Sequence, residues 1–331
     1  MSDYLYGSAR VRSLENAIVG RERLNLLLDC KNSDELVDRL REYGMEPISD
    51  PNSGKFLRED TLLQILRDTY SILQEMLPDD KALRLWLYPY DCNNLKAALK
   101  CFFRGIDPIP MMFDFGTVAV SDVIAMVENG TFESMPFAMK SAAETAVKEY
   151  AKTKNPQLID LLLDRACYAD MLSAAGESGV AFASNIVRKK IDLTNILITV
   201  RILRMNSGEV GRLLYEDALI DGGYLSRSQL KEWFLAGEEM LWDRLLYSEY
   251  SRLAESVLKT DSSLTAVERC IDDYLMERIK EVKLVPYGAE VMISYLFARE
   301  YEVRNLRIVF AGKEAGLPTE TIRERIRESY V

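Results

Sequence analysis

DCNNL at Asp91–Leu95 is the first of three copies of one short pattern: an acid, two intervening residues, an asparagine and an aliphatic residue. The other copies are DLTNI at Asp192–Ile196 and EVRNL at Glu302–Leu306. Their asparagines lie 101 and 110 positions apart. Each copy continues with apolar and basic residues in a helical register. Self-similarity at this period predicts three equivalent helices in three similar helical units.

Two further landmarks recur at nearly the same offset. One is a turn followed by a helix, and its members are Gly116, Ser121 and Gly130 against Gly223, Ser228 and Gly237, 107 positions later. The other is a pair of acids, Asp160 and Asp164 against Glu268 and Asp272, 108 positions later. We therefore predict an all-α protein of three helical-bundle repeats, at residues 1–110, 111–217 and 218–331, arranged as a pseudo-threefold funnel.

The acid and asparagine of each copy are predicted to be structural rather than catalytic. An asparagine in this setting suits a hydrogen bond at a helix start or between bundles, with the acid near the positive end of a helix. Three near-identical polar positions suit packing or symmetric partner contact, whereas an active site would be degraded in some copies and elaborated in one. The six residues concerned are Asp91, Asn94, Asp192, Asn195, Glu302 and Asn305.

Helical periodicity dominates the rest of the chain, and alternating strand patterns are scarce. Apolar residues on one stripe predict a helix over 61–77, ended by Pro78, and another over 158–172. Other predicted helices are 33–43 capped by Asn32, 136–150, 229–235, and 320–329 capped by Thr319.

Composition excludes several classes of function. Histidine is absent, which removes the commonest general base and metal ligand, and neither of the familiar glycine-rich phosphate-binding motifs is present. The formal charge of −10 disfavours nucleic acid and anionic lipid as partners. No stretch has the length and apolarity of a spanning helix, and residues 1–12 lack a signal core, so a cytoplasmic protein is expected.

The five cysteines are odd in number and scattered, at Cys30, Cys92, Cys101, Cys167 and Cys270. This pattern predicts reduced, buried thiols rather than a disulfide framework, and no pair has the C-x-x-C spacing typical of zinc sites. No metal or cofactor is expected.

Asp160 and Asp164 allow two interpretations, since residues four apart share one face of a helix. Paired carboxylates could serve a hydrolase, which would require a deep polar pocket. A solvated or interface face is the interpretation we favour. We accordingly expect Asp160, Asp164, Glu268 and Asp272 to contribute to an acidic surface that faces a basic partner.

Three stretches resemble the C subunit of bacterial and archaeal V-type (A-type) ATPases, whose eukaryotic relative is the d subunit. They are YLYGSARVR at Tyr4–Arg12, DCNNLK at Asp91–Lys96 and YEVRNLRI at Tyr301–Ile308. The resemblance also covers the length of the chain, its three repeats and its tail from Gly312 to Tyr330.

The resemblance implies a non-catalytic funnel of three helical subdomains in the central stalk of a rotary ATPase. Its cavity would receive the shaft, made of D-type and F-type subunits, and its opposite side would rest on the membrane proteolipid ring. The implied protein occurs once per complex, binds no cofactor, lies peripherally on the cytoplasmic face, and passes torque for H⁺ or Na⁺ transport.

A second interpretation is a helical adaptor, unrelated to rotary motors, that uses its three bundles to bind several partners. The residues alone permit it. The resemblance at both ends and in the middle of the chain discriminates against it, because an unrelated scaffold has no reason to share these stretches.

Overall fold

A computed structural model describes residues 4–77, 81–205, 208–261 and 263–331 of the chain. Helices form about three-quarters of it, and the described residues contain no β-strand beyond one isolated bridge between Ser49 and Phe56. The predicted all-α class is therefore confirmed. None of the described helices is long and apolar enough to cross a membrane.

The α-helices of the described ranges are numbered in chain order. They are α1 (Leu5–Leu14), α2 (Arg21–Asp29), α3 (Ser33–Glu42), α4 (Arg58–Met76), α5 (Lys81–Arg84), α6 (Tyr88–Arg104), α7 (Val120–Asn129), α8 (Phe137–Thr153), α9 (Gln157–Glu177), α10 (Ala181–Met205), α11 (Gly208–Ala218), α12 (Arg227–Ala236), α13 (Glu238–Leu246), α14 (Ser251–Lys259), α15 (Leu264–Lys280), α16 (Ala289–Glu314) and α17 (Thr319–Arg323). Short 3₁₀ turns occur at Glu15–Ala17, Leu85–Leu87, Ile109–Met111 and Glu281–Leu284.

The chain divides into two compact units. The first joins residues 1–79 to residues 245–331, and the second is the continuous segment 80–244, so that the boundary falls within α13. The repeat boundaries at 110 and 217 stay a prediction.

In the first unit, α16 is the central element. It packs against α4, α1, α2, α3, α15 and α17, and apolar residues on all its sides are buried, including Met292, Leu296, Leu306 and Phe310. A helix that is apolar around its whole circumference belongs in the middle of a core. The two terminal parts of the chain thus share one hydrophobic core.

In the second unit, α8 and α9 form the most extensive helix pair, and α9 also packs against α6 and α10. Buried aliphatic side chains such as Leu95, Leu99, Leu163 and Ile196 fill the space between these helices. The first two copies of the repeated pattern lie on α6 and α10, and the third lies on α16. The prediction that all three copies are helical is confirmed.

Most of the individually predicted helices are present. Residues 61–77 fall on α4, 158–172 on α9, 136–150 on α8 and 229–235 on α12. Asn32 caps α3 as expected, since its side-chain oxygen accepts a hydrogen bond from the backbone N–H of Glu35 at 3.0 Å. Pro78, the predicted end of α4, lies outside the described residues.

The predicted helix over 320–329 is wrong beyond its first turn. Helix α17 already ends at Arg323, and Pro318 rather than Thr319 occupies its N-cap position. Tertiary contacts prevent its continuation, because the backbone of Arg327 bonds to the side chain of Asn305 and the N–H of Glu328 donates to Asp273. Residues after Arg323 therefore form a strap held by side chains of α15 and α16.

All five cysteines are free and buried. The prediction of reduced thiols that act as small core residues is confirmed.

Candidate functional site

The first copy of the repeated pattern is a buried junction between α6 and the loop that follows it. The Asn94 amide donates to the Phe113 carbonyl at 2.8 Å and accepts from the Phe113 N–H at 2.8 Å. Asp91 accepts from the N–H groups of Thr117 and Val118 at 2.8 and 3.1 Å, and from the Thr117 hydroxyl at 2.6 Å. Both motif side chains are completely buried.

The second copy repeats this arrangement on α10. Asn195 donates to the Ile220 carbonyl at 2.8 Å and accepts from the Ile220 N–H at 2.9 Å. Asp192 accepts from the N–H groups of Tyr224 and Leu225 at 2.8 and 3.0 Å. The same two bonding patterns thus recur, with the acid and asparagine 101 positions and their loop partners 107 positions further along the chain.

The third copy, on α16, keeps the asparagine contact but finds a different partner for its acid. Asn305 donates to the Arg327 carbonyl at 3.0 Å and accepts from the Arg327 N–H at 2.9 Å. Glu302 accepts from the N–H of Val19 at 2.6 Å, across 283 positions of sequence, and forms an ion pair with Arg299.

These contacts explain why the pattern requires these residue types. An asparagine side chain carries one acceptor and one donor group, so a single buried residue satisfies both polar groups of a loop peptide. A carboxylate only accepts, so it suits the N–H groups that open the next segment. The role is to fasten a loop to a helix, and an unsatisfied buried group would cost about 1–3 kcal/mol.

The position of the acid within its helix differs from the prediction that it lies near the positive end of a helix. Asp91 lies in the first turn of α6, but Asp192 and Glu302 lie in the interior of their helices. A role at the positive end of its own helix is therefore wrong for the second and third copies. The acid instead binds N–H groups of a separate segment.

Burial raises the pKa of two of the motif acids. For Asp91 the rise is opposed by the hydrogen bonds from Thr117 and Val118. For Glu302 it is opposed mainly by the nearby Arg299 guanidinium. In both cases the bonding partners favour the charged form that desolvation disfavours.

Two glycines allow the loops to approach the acids. A Cβ atom on Gly116 would lie 2.3 Å from Oδ1 of Asp91, and one on Gly223 would lie 2.0 Å from Oδ1 of Asp192. Real Cβ atoms do not come this close to an oxygen, so any other residue would displace the carboxylate. The repeated glycine landmark in the sequence therefore marks the loop half of the junction.

Sequence reasoning missed the loop residues that face the asparagines. Phe113, Ile220 and Arg327 are spaced by 107 positions each, but they share no side-chain chemistry because only their backbones take part. The glycine landmark at the same offset was the signal that could have located the first two. No comparable signal pointed to Val19.

Three acids of the repeated pairs, Asp160, Asp164 and Asp272, form intrachain ion pairs. Asp160 contacts Lys100 at 2.5 Å, and Asp164 pairs with Lys96, so both acids of α9 are joined to α6. On α15, Asp272 pairs with Arg304 and contacts Arg327 at 3.0 Å. Glu268 is half-buried on the same helix.

This geometry supports a structural interpretation of the acids better than paired-carboxylate chemistry. Lysine ammonium groups already engage Asp160 and Asp164, whose side chains remain 39% and 50% exposed. Each carboxylate thus keeps an accessible edge beside its partner. A contact between these four acids and a basic partner protein stays a prediction.

Comparison with known proteins gives one consistent result. The sequence model of the family described as "ATP synthase (C/AC39) subunit" matches residues 8–325. The C subunit of the A-type ATP synthase of Methanocaldococcus jannaschii is 24% identical, with 98% of this chain and 86% of the relative covered. The corresponding Pyrococcus horikoshii protein is 26% identical, with 98% and 90% covered. The C subunit of the V-type sodium ATPase of Enterococcus hirae is 23% identical, with 97% of each chain covered.

Proposed function

Because the chain belongs to the ATP synthase (C/AC39) subunit family, we propose that it is the non-catalytic coupling between the rotor shaft and the membrane ring of a rotary A/V-type ATPase. The observation that carries this proposal is the extent of the match. The family covers residues 8–325, and the relatives align over 97–98% of this chain. An adaptor of different origin would not share an entire chain.

The proposed mechanism is mechanical. ATP hydrolysis in the soluble head turns the shaft, the shaft turns this protein, and the protein turns the ion-carrying ring. Synthesis would run the same path in reverse. The protein contributes stiffness, because close-packed helices transmit strain with little deformation.

Two features of the described residues suit this task. The long helices α10 and α16 run through the cores of their units. The loops after α6, α10 and α16 are fastened to them by buried bonds to backbone groups, which resist shear better than exposed side-chain contacts do. Three such junctions in one chain support the proposed arrangement of three similar bundles as a funnel.

The proposed partners are D-type and F-type shaft subunits on one side and the proteolipid ring on the other, with one copy of this chain per complex. The protein would attach peripherally to the cytoplasmic face through these partners, and the transported ion would be H⁺ or Na⁺. No cofactor or nucleic acid enters the proposal.

The acid pairs supply a proposed contact surface. We expect basic residues of a partner to bind four acids, Asp160, Asp164, Glu268 and Asp272. These basic residues would replace the cations of this chain at the carboxylates or bind beside them. Reversing Asp160 and Asp164 to lysine should weaken assembly, whereas the same double change at exposed Glu232 and Glu239 is the charge-matched control. Assembly that tolerates both sets equally would remove this surface from the proposal.

A tagged full-length chain tests the coupling role. Membranes of the source cell are solubilised gently, the tagged chain is captured, and co-purifying proteins are identified and quantified by mass spectrometry. We expect shaft and proteolipid subunits in fixed ratio to the tagged chain, and untagged cells provide the background. Recovery of other stoichiometric partners without shaft and ring subunits would replace the proposal with the adaptor interpretation.

A further inference from the structure

The first two junctions share a feature beyond their hydrogen bonds: the segment bound by the acid runs directly into a helix. Val118 donates to Asp91, and after one extended residue α7 begins. Leu225 donates to Asp192, and after one extended residue α12 begins. Each of these two copies therefore consists of the helix that carries the acid and asparagine, a loop bound to that helix, and a short helix of 10 residues.

The third junction has the same continuation, but on another part of the chain. Val19 donates to Glu302, and after one extended residue, Gly20, helix α2 begins. The residues between donor and helix, Ala119, Ser226 and Gly20, have ψ angles of 143°, 150° and −174°. Helix α2 thus follows its donor residue as α7 and α12 follow theirs.

The burial pattern of α2 supports this equivalence independently. In each of the three helices the fourth residue and the seventh residue are buried. The fourth residues are Val123, Leu230 and Leu24, and the seventh residues are Met126, Trp233 and Leu27, all at most 8% exposed. When positions are counted from the residue that donates to the acid, the same face of each of these three helices is therefore buried.

The register of the loops agrees as well. The donor N–H lies five positions after the asparagine's partner in both complete copies, Phe113 to Val118 and Ile220 to Leu225. In the third copy the donor N–H belongs to Val19, on a distant segment. The backbone oxygen of Val331 also accepts from the N–H of Arg21 at 3.2 Å.

We propose that Val19–Asp29 is the second half of the third repeat, supplied by the opposite end of the chain. Glu302 and Asn305 then organise one junction from two distant segments, and Glu302 is the residue that docks α2. The first unit is discontinuous in sequence because one of its repeats is split between the two ends of the chain. This inference is independent of the proposed coupling role.

Hydrogen–deuterium exchange of the full chain, read by mass spectrometry, tests the proposal with three matched substitutions. Asp91→Ala should lower protection in residues 117–129, Asp192→Ala in residues 224–236, and Glu302→Ala in residues 19–29, each by tenfold or more. Glu302→Gln keeps an acceptor oxygen and should retain most of the protection of α2. The result that distinguishes this proposal is a loss of protection confined to the segment of Val19, which is 283 positions away from the substituted Glu302.

Two results would overturn the proposal. One is unchanged protection of residues 19–29 in Glu302→Ala, and the other is a loss spread evenly over the first unit. If Glu302→Ala does not fold, residue-resolved hydrogen–deuterium exchange of the unsubstituted chain tests the docking of α2. The amides of Val118, Leu225 and Val19 should then all be protected. A Val19 amide that exchanges as fast as an unstructured peptide would rule the docking out.

Discussion

In all three junctions the asparagine binds both polar groups of a loop residue and the acid accepts from a backbone N–H, but the chain connectivity differs. Asp91 and Asp192 bind segments 26 to 33 residues further along the chain, whereas Glu302 binds Val19 across 283 positions. Loop-closure entropy grows only slowly with loop length, so a distant segment can replace a neighbouring one at small additional cost. Equivalent packing therefore does not require equivalent connectivity.

Burial is the second difference between the junctions. Ile220, the partner of Asn195, is buried, whereas Phe113 and Arg327, the partners of Asn94 and Asn305, are partly exposed. Water can replace a lost hydrogen bond more readily where the loop residue is partly exposed than where it is buried. The three asparagines are thus equally buried and make the same bonds, but their loop partners differ in exposure.

Asn195→Ala is expected to have the largest effect. It leaves both backbone polar groups of Ile220 unsatisfied in the core, which should lower the free energy of unfolding by about 2–4 kcal/mol. Asn94→Ala and Asn305→Ala should cost about 1–2 kcal/mol each, because their loop partners are partly exposed. Urea unfolding followed by circular dichroism measures all three. Since Trp86, Trp233 and Trp242 all lie in the second unit, fluorescence follows its variants separately.

Asn93→Ala is the control for this series, because Asn93 is exposed beside Asn94. Its unfolding free energy should lie within about 0.5 kcal/mol of the unsubstituted chain. Equal losses for Asn195→Ala and Asn94→Ala would contradict the role assigned to the exposure of their loop partners.

Gly223→Ala is expected to be the next most destabilising change, at about 1–3 kcal/mol, because its Cβ would lie 2.0 Å from the Asp192 carboxylate. Gly116→Ala adds a positive φ of 156° to a similar clash and should cost at least as much. Thermal unfolding compares both with Gly176→Ala, a helical position with nothing within 4 Å of the added atom. Tolerance of Gly223→Ala would show that the loop can move without loss.

A smaller, pH-dependent effect on the free energy of unfolding is expected at Asp273, which binds the strap of residues 324–331. Asp273, which accepts the N–H of Glu328, has its pKa raised by burial from 3.8 to about 6. The folded state therefore favours the protonated acid, so this contribution to stability is present below about pH 4 and is lost as the pH rises through 6. Relative to Asp273→Asn, the chain should lose about 1–2 kcal/mol between pH 4 and pH 7, because a partly buried carboxyl delivers less than the full shift.

Asp50→Asn provides a control of opposite sign in the same unit. Hydrogen bonds from Ser53 and Asn52 lower the pKa of Asp50, so its contribution is present above its unfolded pKa and lost as the pH falls. Urea midpoints measured from about pH 2 to about pH 7 test both variants, because the Asp50 contribution is lost only below its unfolded pKa of about 3.9. If the difference in unfolding free energy between the unsubstituted chain and Asp273→Asn does not change with pH, the raised pKa assigned to Asp273 is contradicted.

Much of the fold was predictable because the signals are local or periodic. Apolar stripes located α4 and α9, the Asn32 cap fixed the start of α3, and the repeated pattern marked the helices α6, α10 and α16. The residues of the candidate junctions were also identified as structural. Their loop partners were not, because backbone groups leave no trace in side-chain identity.

The sequence by itself determined the helical class, the repeat period and the residue types that a buried loop-to-helix junction needs. Only the tertiary structure decided where α17 ends and which segment Glu302 binds. The physical reason is the same in both cases. Residues 324–331 and Val19 are held by side chains of α15 and α16 that are distant in sequence, and no local propensity encodes contacts between segments so far apart.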